Sequence, residues 1–399
     1  MDYTVEKYLE KKALFANFNV YKNYDFVSQK DSQVEIIAIV IPVYMEYPYF
    51  YKTLLSLQDS LEYVKNPCVF RVICVVNNKK DDSSEIKDNS QKTVKMLRNQ
   101  DKVYFLDDKL YIDILDCCTE GFEIPSNQGV GYCRKIGMDY ALKIGAKVLV
   151  CLDGDTLVSK NYCSVLLDFA SKKNPYAALI PFKHQTAESL DQRNGIQLYE
   201  SFMKKHSSKL KKTGTIYYQT ALGPTIVCSV KAYIAVGGMN QKLAGEDFYF
   251  FQALVKNKGT PLEVLDSMVY PSARISYRVP FGTGQVISSI CGKTLNSKEQ
   301  LYKDGYPNLA YKIIFEFIQY IKQCCKKKLS SGELKPILEK KLPEIQLFLQ
   351  DEEFYILWEK LLVNNKKSEN LERAFHCWFD GLKIIRLIHF VEESLNPES

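Results

Sequence analysis

The sequence lacks the usual marks of secreted, membrane-spanning and zinc-binding proteins. Its 399 residues contain no run of 18 apolar residues, and the charged first twelve residues have no apolar core of signal-peptide length. None of the twelve cysteines lies in a C-x-x-C spacing. We therefore expect reduced cysteines that pack in the interior of a cytoplasmic protein, with zinc ligation or disulfide bonds as the alternative.

The sequence also has little net charge and no low-complexity segment. Its 53 basic and 47 acidic side chains leave a formal charge of +6, which is too weak a field for a dedicated nucleic-acid-binding protein. The composition, 46% hydrophobic and 25% charged, is that of an ordinary globular chain. At about one domain per 150 residues, the length predicts two or three folding units.

Apolar runs and helical patterns alternate along the first part of the chain. The runs IIAIVIPV (36–43) and VFRVICVV (69–76) are typical of parallel strands covered by helices on both faces. Helical patterns at 51–64 and 130–144 alternate with these runs and with a further strand at 147–152. Strands that alternate with helices predict an α/β domain.

After residue 153 the alternation becomes less regular. Strands are predicted at 177–181 and 224–229, with one or two more within 262–276, and helices at 187–210, 230–236 and 246–256. This order predicts a mixed sheet. Apolar residues from Leu309 to Cys325 follow one helical stripe, and further helices are predicted at 333–340, 342–349, 352–362 and 369–393. We divide the chain into a lead-in segment (1–35), an α/β domain (36–290) and an all-helical domain (291–399).

Two carboxylates follow the strand at 147–152, in the sequence Leu152-Asp153-Gly154-Asp155. At the carboxyl end of such a strand the chain turns into the crevice where α/β folds bind ligands. Gly154 lets the backbone approach a ligand closely. Two hard oxygen donors suit Mg²⁺ or Mn²⁺, which complete their coordination with water and diphosphate oxygens. The alternative is an Asx turn before a helix at Ser159.

A second acidic pair, Glu246-Asp247, stands at the start of a predicted helix, shortly after Gly237-Gly238. Acidic residues at a helix N-terminus are expected from the helix dipole alone. If the pair faces the crevice instead, one carboxylate can act as a base that takes a proton from an incoming hydroxyl group.

Two arginines precede a glycine-rich turn near the end of the α/β region. Arg274 and Arg278 are followed by Gly282-Thr283-Gly284. The pattern suits a mobile loop whose arginines pair with phosphate oxygens, and it equally suits a plain surface turn.

Taken together, four motifs resemble the family 2 nucleotide-sugar glycosyltransferases of GT-A fold. They are Ile41-Pro42-Val43-Tyr44, Gln128-Gly129-Val130-Gly131-Tyr132-Cys133-Arg134, Leu152-Asp153-Gly154-Asp155, and Gly237-Gly238 with Gly245-Glu246-Asp247. Their order and spacing carry the resemblance, which covers about residues 36–290. It implies a Rossmann-like mixed sheet, a nucleotide-sugar donor, Mn²⁺ or Mg²⁺ at the D-x-D motif, and inverting transfer to a hydroxyl acceptor.

The resemblance also implies a role for each matching residue. Pro42, Tyr44 and Glu46 would line the nucleotide pocket, with Asn77, next to Asn78, near the base and ribose and Arg134 approaching the nucleotide. Asp155 would bind the metal directly, and Asp153 would contact it through water or lie beside the ribose. Arg278 would help to neutralise the diphosphate. Asp247 would be the catalytic base, and Glu246 would position the acceptor or exchange roles with it.

The sequence departs from the family pattern at several places. Asn77 and Asn78 replace acids, which leaves the nucleotide open, and Lys135 stands where an Asn is common. No Q-x-x-R-W motif follows, which argues against a processive polysaccharide synthase. His184 is either a third metal ligand or an ordinary polar residue.

The sequence leaves two other functions and one other location open. A nucleotidyltransferase would need a Gly-rich basic loop after the first strand, which residues 41–48 do not provide. A catalytically inert GT-A-like binding or scaffold protein is the other alternative. The predicted helix that ends at Lys326-Lys327-Lys328 either packs on its own core or lies on an anionic membrane that carries a lipid-linked acceptor.

Overall fold

The computed structural model of the chain describes residues 3–14, 18–22, 35–98, 109–275, 284, 286–288 and 297–395. The chain divides into two compact units. The first comprises Met1–Ile196, Ala221–Leu254 and Leu262–Cys291, and the second comprises Gln197–Thr220, Val255–Pro261 and Gly292–Ser399. Two segments from the middle of the chain thus accompany the C-terminal residues in the second unit. The division into 1–35, 36–290 and 291–399 stays a prediction.

A mixed eight-stranded sheet forms the centre of the first unit, as the sequence predicts. In chain order its strands are β1 (Asn19–Lys22), β2 (Ile36–Val43), β3 (Val69–Asn77), β4 (Leu110–Cys117), β5 (Val148–Cys151), β7 (Ala177–Leu179), β8 (Ile226–Ser229) and β9 (Glu263–Val264). The spatial order is β1-β4-β3-β2-β5-β8-β7-β9. Strands β6 (Leu157–Val158) and β10 (Val269–Tyr270) form a separate antiparallel pair.

The four central strands β4, β3, β2 and β5 run parallel, and their register fixes the site. Val40 of β2 lies opposite Cys151 of β5, and Val43 lies opposite Val76 of β3. Every residue of β5 is buried, as are seven of the eight in β2, because helices cover both faces. The polar residues that follow β2, β3 and β5 therefore emerge at one edge of the sheet.

Helices of the first unit are α1 (Tyr3–Lys11), α2 (Phe50–Asp59), α3 (Ser84–Arg98), α4 (Val130–Lys143), α5 (Tyr162–Ala170) and α7 (Val230–Ala235). Helices α6 (Leu190–Thr213) and α8 (Glu246–Lys258) begin in the first unit and continue into the second. Helix α4 is the most central of these, since it packs on β2 and β3 and twelve of its residues are buried.

Part of the lead-in segment belongs to the sheet and its helical cover. Strand β1 pairs antiparallel with β4 at the sheet edge, Asn19 facing Asp116. Helix α1 packs on α4, where the Tyr8 hydroxyl and the Leu14 amide donate to opposite oxygens of the buried Asp139 at 3.0 and 2.7 Å. These contacts attach residues 3–14 and 18–22 to the α/β unit.

The second unit is helical over its C-terminal part, as predicted. Its helices there are α9 (Ser297–Asp304), α10 (Asn308–Lys327), α11 (Ser331–Lys341), α12 (Gln346–Asp351), α13 (Phe354–Asn364), α14 (Ser368–Trp378) and α15 (Gly381–Leu395). The prediction of a single helix at 369–393 is wrong, because the helix is interrupted at Phe379 and Asp380. The Asp380 carboxylate accepts the amide of Lys383 at 3.0 Å and so starts a new helix.

The apolar stripe predicted from Leu309 to Cys325 lies on α10 and packs against α14 and α15. Its members Phe317, Ile321 and Cys325 are fully buried. That stripe is therefore covered by protein, while Lys326–Lys328 at its end are exposed. Among the described residues, no helix is long and apolar enough to cross a membrane.

Most of the described cysteines pack in the interior, as predicted. All eleven described cysteines are free, and ten of them are buried. Cys74 and Cys151 lie inside core strands, as expected. Burial raises the pKa of Cys151 to about 12, and Arg134 opposes this rise. These thiols are packing groups.

Candidate active site

The Asp153-Gly154-Asp155 turn follows β5 at the carboxyl edge of the parallel strands. Two side chains hold its backbone. The Thr53 hydroxyl donates to the Gly154 carbonyl at 3.0 Å, and the Gln185 side-chain amide donates to the carbonyls of Asp155 and Tyr270 at 2.8 and 2.7 Å. A Cβ on Gly154 would lie 2.8 Å from Cγ of Glu46, so only glycine lets Glu46 pack across the turn. The turn is thus held from both sides.

Arg134 connects this turn to the second acidic pair. It extends from α4, and its side chain is 2% exposed. One guanidinium nitrogen, Nη2, pairs with Asp153 Oδ1, and Nε donates to Glu246 Oε1 at 3.0 Å. Asp153 and Glu246 stand 93 positions apart in the sequence, and this single side chain brings them together.

The glycines before Arg134 serve the same contact. A Cβ on Gly129 would lie 2.7 Å from the Leu243 carbonyl oxygen, and one on Gly131 would lie 2.7 Å from the carbonyl oxygens of Asn240 and Lys242. The start of α4 therefore packs directly on the backbone of the loop that leads into α8. In this structure, the G-x-G pattern permits a helix-to-loop contact that sets the position of Glu246.

Glu246 and Asp247 occupy the first turn of α8 in an environment that favours their neutral forms. Burial raises the pKa of Glu246 to about 7; Arg134 opposes this rise and Asp247 adds to it. Burial also raises the pKa of Asp247, and the nearby Asp153 carboxylate adds to that. Asp247 Oδ1 accepts the Phe248 amide at 2.7 Å, as expected at a helix N-terminus. Both acids therefore titrate closer to neutrality than ordinary carboxylates.

Arg274, which follows β10, forms a second bridge between carboxylates. Its Nε and Nη2 donate to Asp155 Oδ2 at 3.1 and 2.9 Å, and Nη2 also pairs with Glu46 Oε2. The guanidinium lies 4.6 Å from the ring centroid of Tyr49. Arg274 therefore joins the loop after β2 to the D-G-D turn.

The charges of the two bridges do not cancel. Five carboxylates, on Glu46, Asp153, Asp155, Glu246 and Asp247, surround the guanidinium groups of Arg134 and Arg274. The formal charge of the cluster is −3 with every group ionised and −1 with Glu246 and Asp247 neutral. Such a surplus favours a cation.

The predicted nucleotide-pocket residues lie near the same edge of the sheet. Pro42 is buried within β2, opposite Val75. The Tyr44 hydroxyl donates to Asp82 Oδ1 at 3.1 Å. The buried Asn77 side chain donates to the carbonyls of Val43 and Val75 at 3.2 and 3.0 Å, so it ties the ends of β2 and β3 together. These contacts locate Pro42 and Asn77 at the carboxyl ends of β2 and β3, and Tyr44 directly after β2.

The two remaining predicted residues are Arg278 and His184. Arg278 lies outside the described residues. His184 is buried, with its ring 5.8 Å from that of Phe182. No group of three or more His, Cys, Asp or Glu side chains able to hold a metal occurs in the described ranges. A cation at Asp153 and Asp155 would therefore be held by few protein ligands.

The structure gives a role to Lys135, the residue that departs from the family pattern. Its ammonium group contacts Asp139 Oδ2 and the Tyr8 hydroxyl, both at 2.9 Å, and the Tyr233 hydroxyl donates to Asp139 Oδ1 at 2.9 Å. All four side chains are buried. Because each charge and hydroxyl has a partner, this network fixes α1 on α4 behind Arg134.

Sequence reasoning missed Thr53 and Gln185. Both residues act on backbone carbonyls of the D-G-D turn, and neither stands in a motif. A lone polar residue in a loop or on a helix carries no sequence signal that distinguishes it from a solvated one. Arg274 was recognised as part of a phosphate-binding pattern, but its pairing with Glu46 was not expected.

Comparison with known proteins agrees with the resemblance. Residues 38–224 match the family model described as Glycosyl transferase family 2. No curated protein matches the sequence significantly. TarS of S. aureus (residues 1–349, in complex with UDP-GlcNAc) is similar in structure at 13% identity, over 91% of this chain and 92% of that chain, with a TM-score of 0.41.

A second similar structure is glucosyl-3-phosphoglycerate synthase from Mycobacterium tuberculosis in complex with UDP. It is 11% identical over 65% of this chain and 81% of that chain, with a TM-score of 0.32. Both TM-scores are low, so the family match carries the assignment. Residues 38–224 are thus similar to glycosyl transferase family 2, and the mixed sheet with C-terminal helices agrees with the predicted GT-A fold class.

Proposed function

We propose that this protein is a divalent-metal-dependent, inverting glycosyltransferase. It moves a sugar, of the hexosyl type, from a nucleoside-diphosphate donor to a hydroxyl group on a saccharide or lipid-linked acceptor. The observation that carries the proposal is the bridge made by Arg134. It joins Asp153 of the predicted donor site to Glu246 of the predicted acceptor site within one buried cluster.

The residues at the D-G-D turn fit a divalent cation of the Mg²⁺ or Mn²⁺ type. Asp155 and Asp153 would hold it, and their side chains are 16% and 34% exposed. Such cations often take one or two carboxylates from the protein and complete their shell with water and phosphate oxygens. The surplus negative charge of the cluster supports the same conclusion. When bound, a cation there would neutralise charge on the departing diphosphate.

Asp247 is proposed as the base. Glu246 pairs with Arg134, which suits a positioning role, whereas Asp247 accepts the Phe248 amide and forms no ion pair with another described residue. In the transfer step the acceptor oxygen forms a bond to the anomeric carbon as the bond from that carbon to the diphosphate oxygen breaks. The acceptor proton goes to Asp247, whose raised pKa makes it a stronger base than an ordinary aspartate.

The remaining predicted contacts complete the proposal. Pro42, Tyr44, Glu46 and Asn77 are kept as the nucleotide side of the pocket and Arg278 as a diphosphate contact. Free, buried cysteines support a reducing compartment such as the cytoplasm. The exposed Lys326–Lys328 support a peripheral contact with an anionic membrane as a second setting.

Thermal unfolding with ligand tests the donor site. Mn²⁺ together with one of UDP, GDP and TDP should stabilise the protein, by about 2.7 kcal/mol at a ligand concentration 100 times its Kd. Asp155→Ala should abolish the effect. Asp168→Ala removes a carboxylate from the exposed face of α5 and should leave it unchanged.

Two outcomes would separate the alternatives. No shift with any of the three nucleotides would contradict the proposal. Hydrolysis or transfer of a nucleotide-sugar by the purified protein would exclude the catalytically inert binding protein.

A further inference from the structure

Arg274 is more exposed to solvent than the two carboxylates that it bridges, those of Asp155 and Glu46. Its side chain is 24% exposed, against 16% for Asp155 and 6% for Glu46. Its two nitrogens hold one oxygen of Asp155, the residue proposed to bind the cation directly. A guanidinium and a divalent cation therefore require the same carboxylate.

The two carboxylates need a positive partner in either state. Glu46 is 5% exposed, and its Cβ and Cγ pack on Gly154. A carboxylate buried this far is destabilising unless a charge or strong donors compensate it. Arg274 gives positive charge to Glu46 and Asp155 together. That charge lowers the repulsion between the two acids across the turn.

Hydrogen bonds hold the backbone that carries Asp155, whereas Arg274 comes from a loop on the partly exposed side of the turn. Gln185 and Thr53 hold the backbone of the D-G-D turn, as described above. Arg274 lies beyond β10 in a stretch without regular secondary structure. Its guanidinium lies over Tyr49, a ring that is itself 50% exposed. The guanidinium is therefore partly open to solvent, whereas hydrogen bonds hold the backbone of the turn.

We propose that Arg274 is the resident counter-ion of the metal-free donor site. It competes with the divalent cation for Asp155 and Glu46, and the guanidinium released on cation binding pairs with the donor diphosphate. This inference rests on the proposed function, since it needs a cation at the D-G-D turn. It adds that the guanidinium and the cation replace each other at the same carboxylates, which the family match does not indicate.

The proposal predicts effects of opposite sign for one substitution. Arg274→Gln removes the competitor, so Mn²⁺ alone should bind more tightly. The same substitution removes a diphosphate contact, so UDP or GDP should bind more weakly when Mn²⁺ is saturating. A purely structural arginine gives no reason for the first effect.

Electron paramagnetic resonance of free Mn²⁺ measures the first effect without nucleotide and without activity. We expect R274Q to lower the Kd for Mn²⁺ by about tenfold, within the usual range of coupling between two binding equilibria. R274K keeps the charge and should lie closer to wild type than to R274Q. Arg193→Gln, which removes an exposed arginine at the start of α6, should match wild type.

Thermal unfolding shows whether a folding defect in R274Q accounts for a change in Mn²⁺ binding. R274Q should melt at a lower temperature than wild type without metal, and Mn²⁺ should raise its melting temperature more than that of wild type. Equal or weaker Mn²⁺ binding by R274Q would overturn the inference. If Asp155→Ala still abolishes Mn²⁺ binding in that case, the proposed function stands. If Asp155→Ala has no effect either, the metal site itself is wrong.

Discussion

Replacing Arg134 by methionine tests whether one buried guanidinium holds the two halves of the candidate site together. Arg134 is 2% exposed, and its partners Glu246 and Asp153 are 5% and 34% exposed. Breaking a buried ion pair costs about 3–5 kcal/mol, because the remaining charge is left unpaired. Asp153 keeps contact with water, so Glu246 carries most of that cost. We therefore expect a loss of about 3 kcal/mol, the lower end of the range.

Differential scanning calorimetry at about pH 8 measures this loss. A unit of this size shifts its melting temperature by about 2–4 °C per kcal/mol, so R134M should melt roughly 6–12 °C below wild type. The double variant R134M/E246Q replaces the unpaired carboxylate with a neutral amide. It should recover about 1–2 kcal/mol, a usual coupling between residues in contact.

The cost of R134M should also depend on pH. Burial raises the pKa of Glu246 from 4.5 to about 7. The folded protein thus binds this proton more tightly than the unfolded chain, and the group lowers stability as the pH rises through that interval. Loss of Arg134 raises the folded pKa further, so the cost should shrink as the pH falls and be smallest below about pH 7, where Glu246 binds the proton in both folded proteins. A single variant within about 2 °C of wild type, or a double variant no more stable than R134M, would refute the reasoning.

Three further substitutions probe the turn and the base. Gly154→Ala places a Cβ 2.8 Å from Glu46 Cγ, and overpacking of this kind costs about 1–3 kcal/mol, so Mn²⁺ binding should weaken by about tenfold in isothermal titration calorimetry. The control is Gly332→Ala, whose Cβ would have its nearest neighbour 4.0 Å away; it should leave Mn²⁺ affinity unchanged. Asp247→Asn should lower the transfer rate by about 10²–10⁴ and leave nucleotide binding intact. Because burial raises the pKa of Asp247, the wild-type rate should fall on acidification at a higher pH than an ordinary aspartate would give, and a rate that is flat there would argue against this base. Gln185→Leu removes the amide contacts to the carbonyls of Asp155 in the turn and of Tyr270 in β10. It should weaken Mn²⁺ binding by about tenfold, at about 1–3 kcal/mol for unpaired carbonyls, with a smaller change in melting temperature than R134M. Equal Mn²⁺ affinity would show that the turn holds its shape without Gln185.

The strands and the D-G-D turn were predictable because their signals are local. Continuous apolar runs predicted β2 over the residues that the structure assigns to it, and the charged turn after β5 stands where the run ends. The same is true of the stripe on α10, whose spacing needs no tertiary information.

Other features depend on contacts between distant residues and were therefore not predictable. Strand β1 is four residues long with a half-exposed pattern, so its pairing with β4 provides the only reason to assign it. The pairing of Arg134 with Glu246 spans 112 positions, so no local pattern in the sequence indicates it. Asp380-Gly381, within a predicted helix, was not recognised as a helix start.

The attachment of the first 22 residues has a practical consequence for producing the protein. A shortened form beginning at residue 35 would leave the outer edge of β4 without its partner, and an unpaired edge readily joins strands from other molecules. It would also remove Tyr8 and the Leu14 amide from the buried Asp139. Yield and solubility should therefore suffer in truncated forms, even though no residue of the candidate site is missing from them.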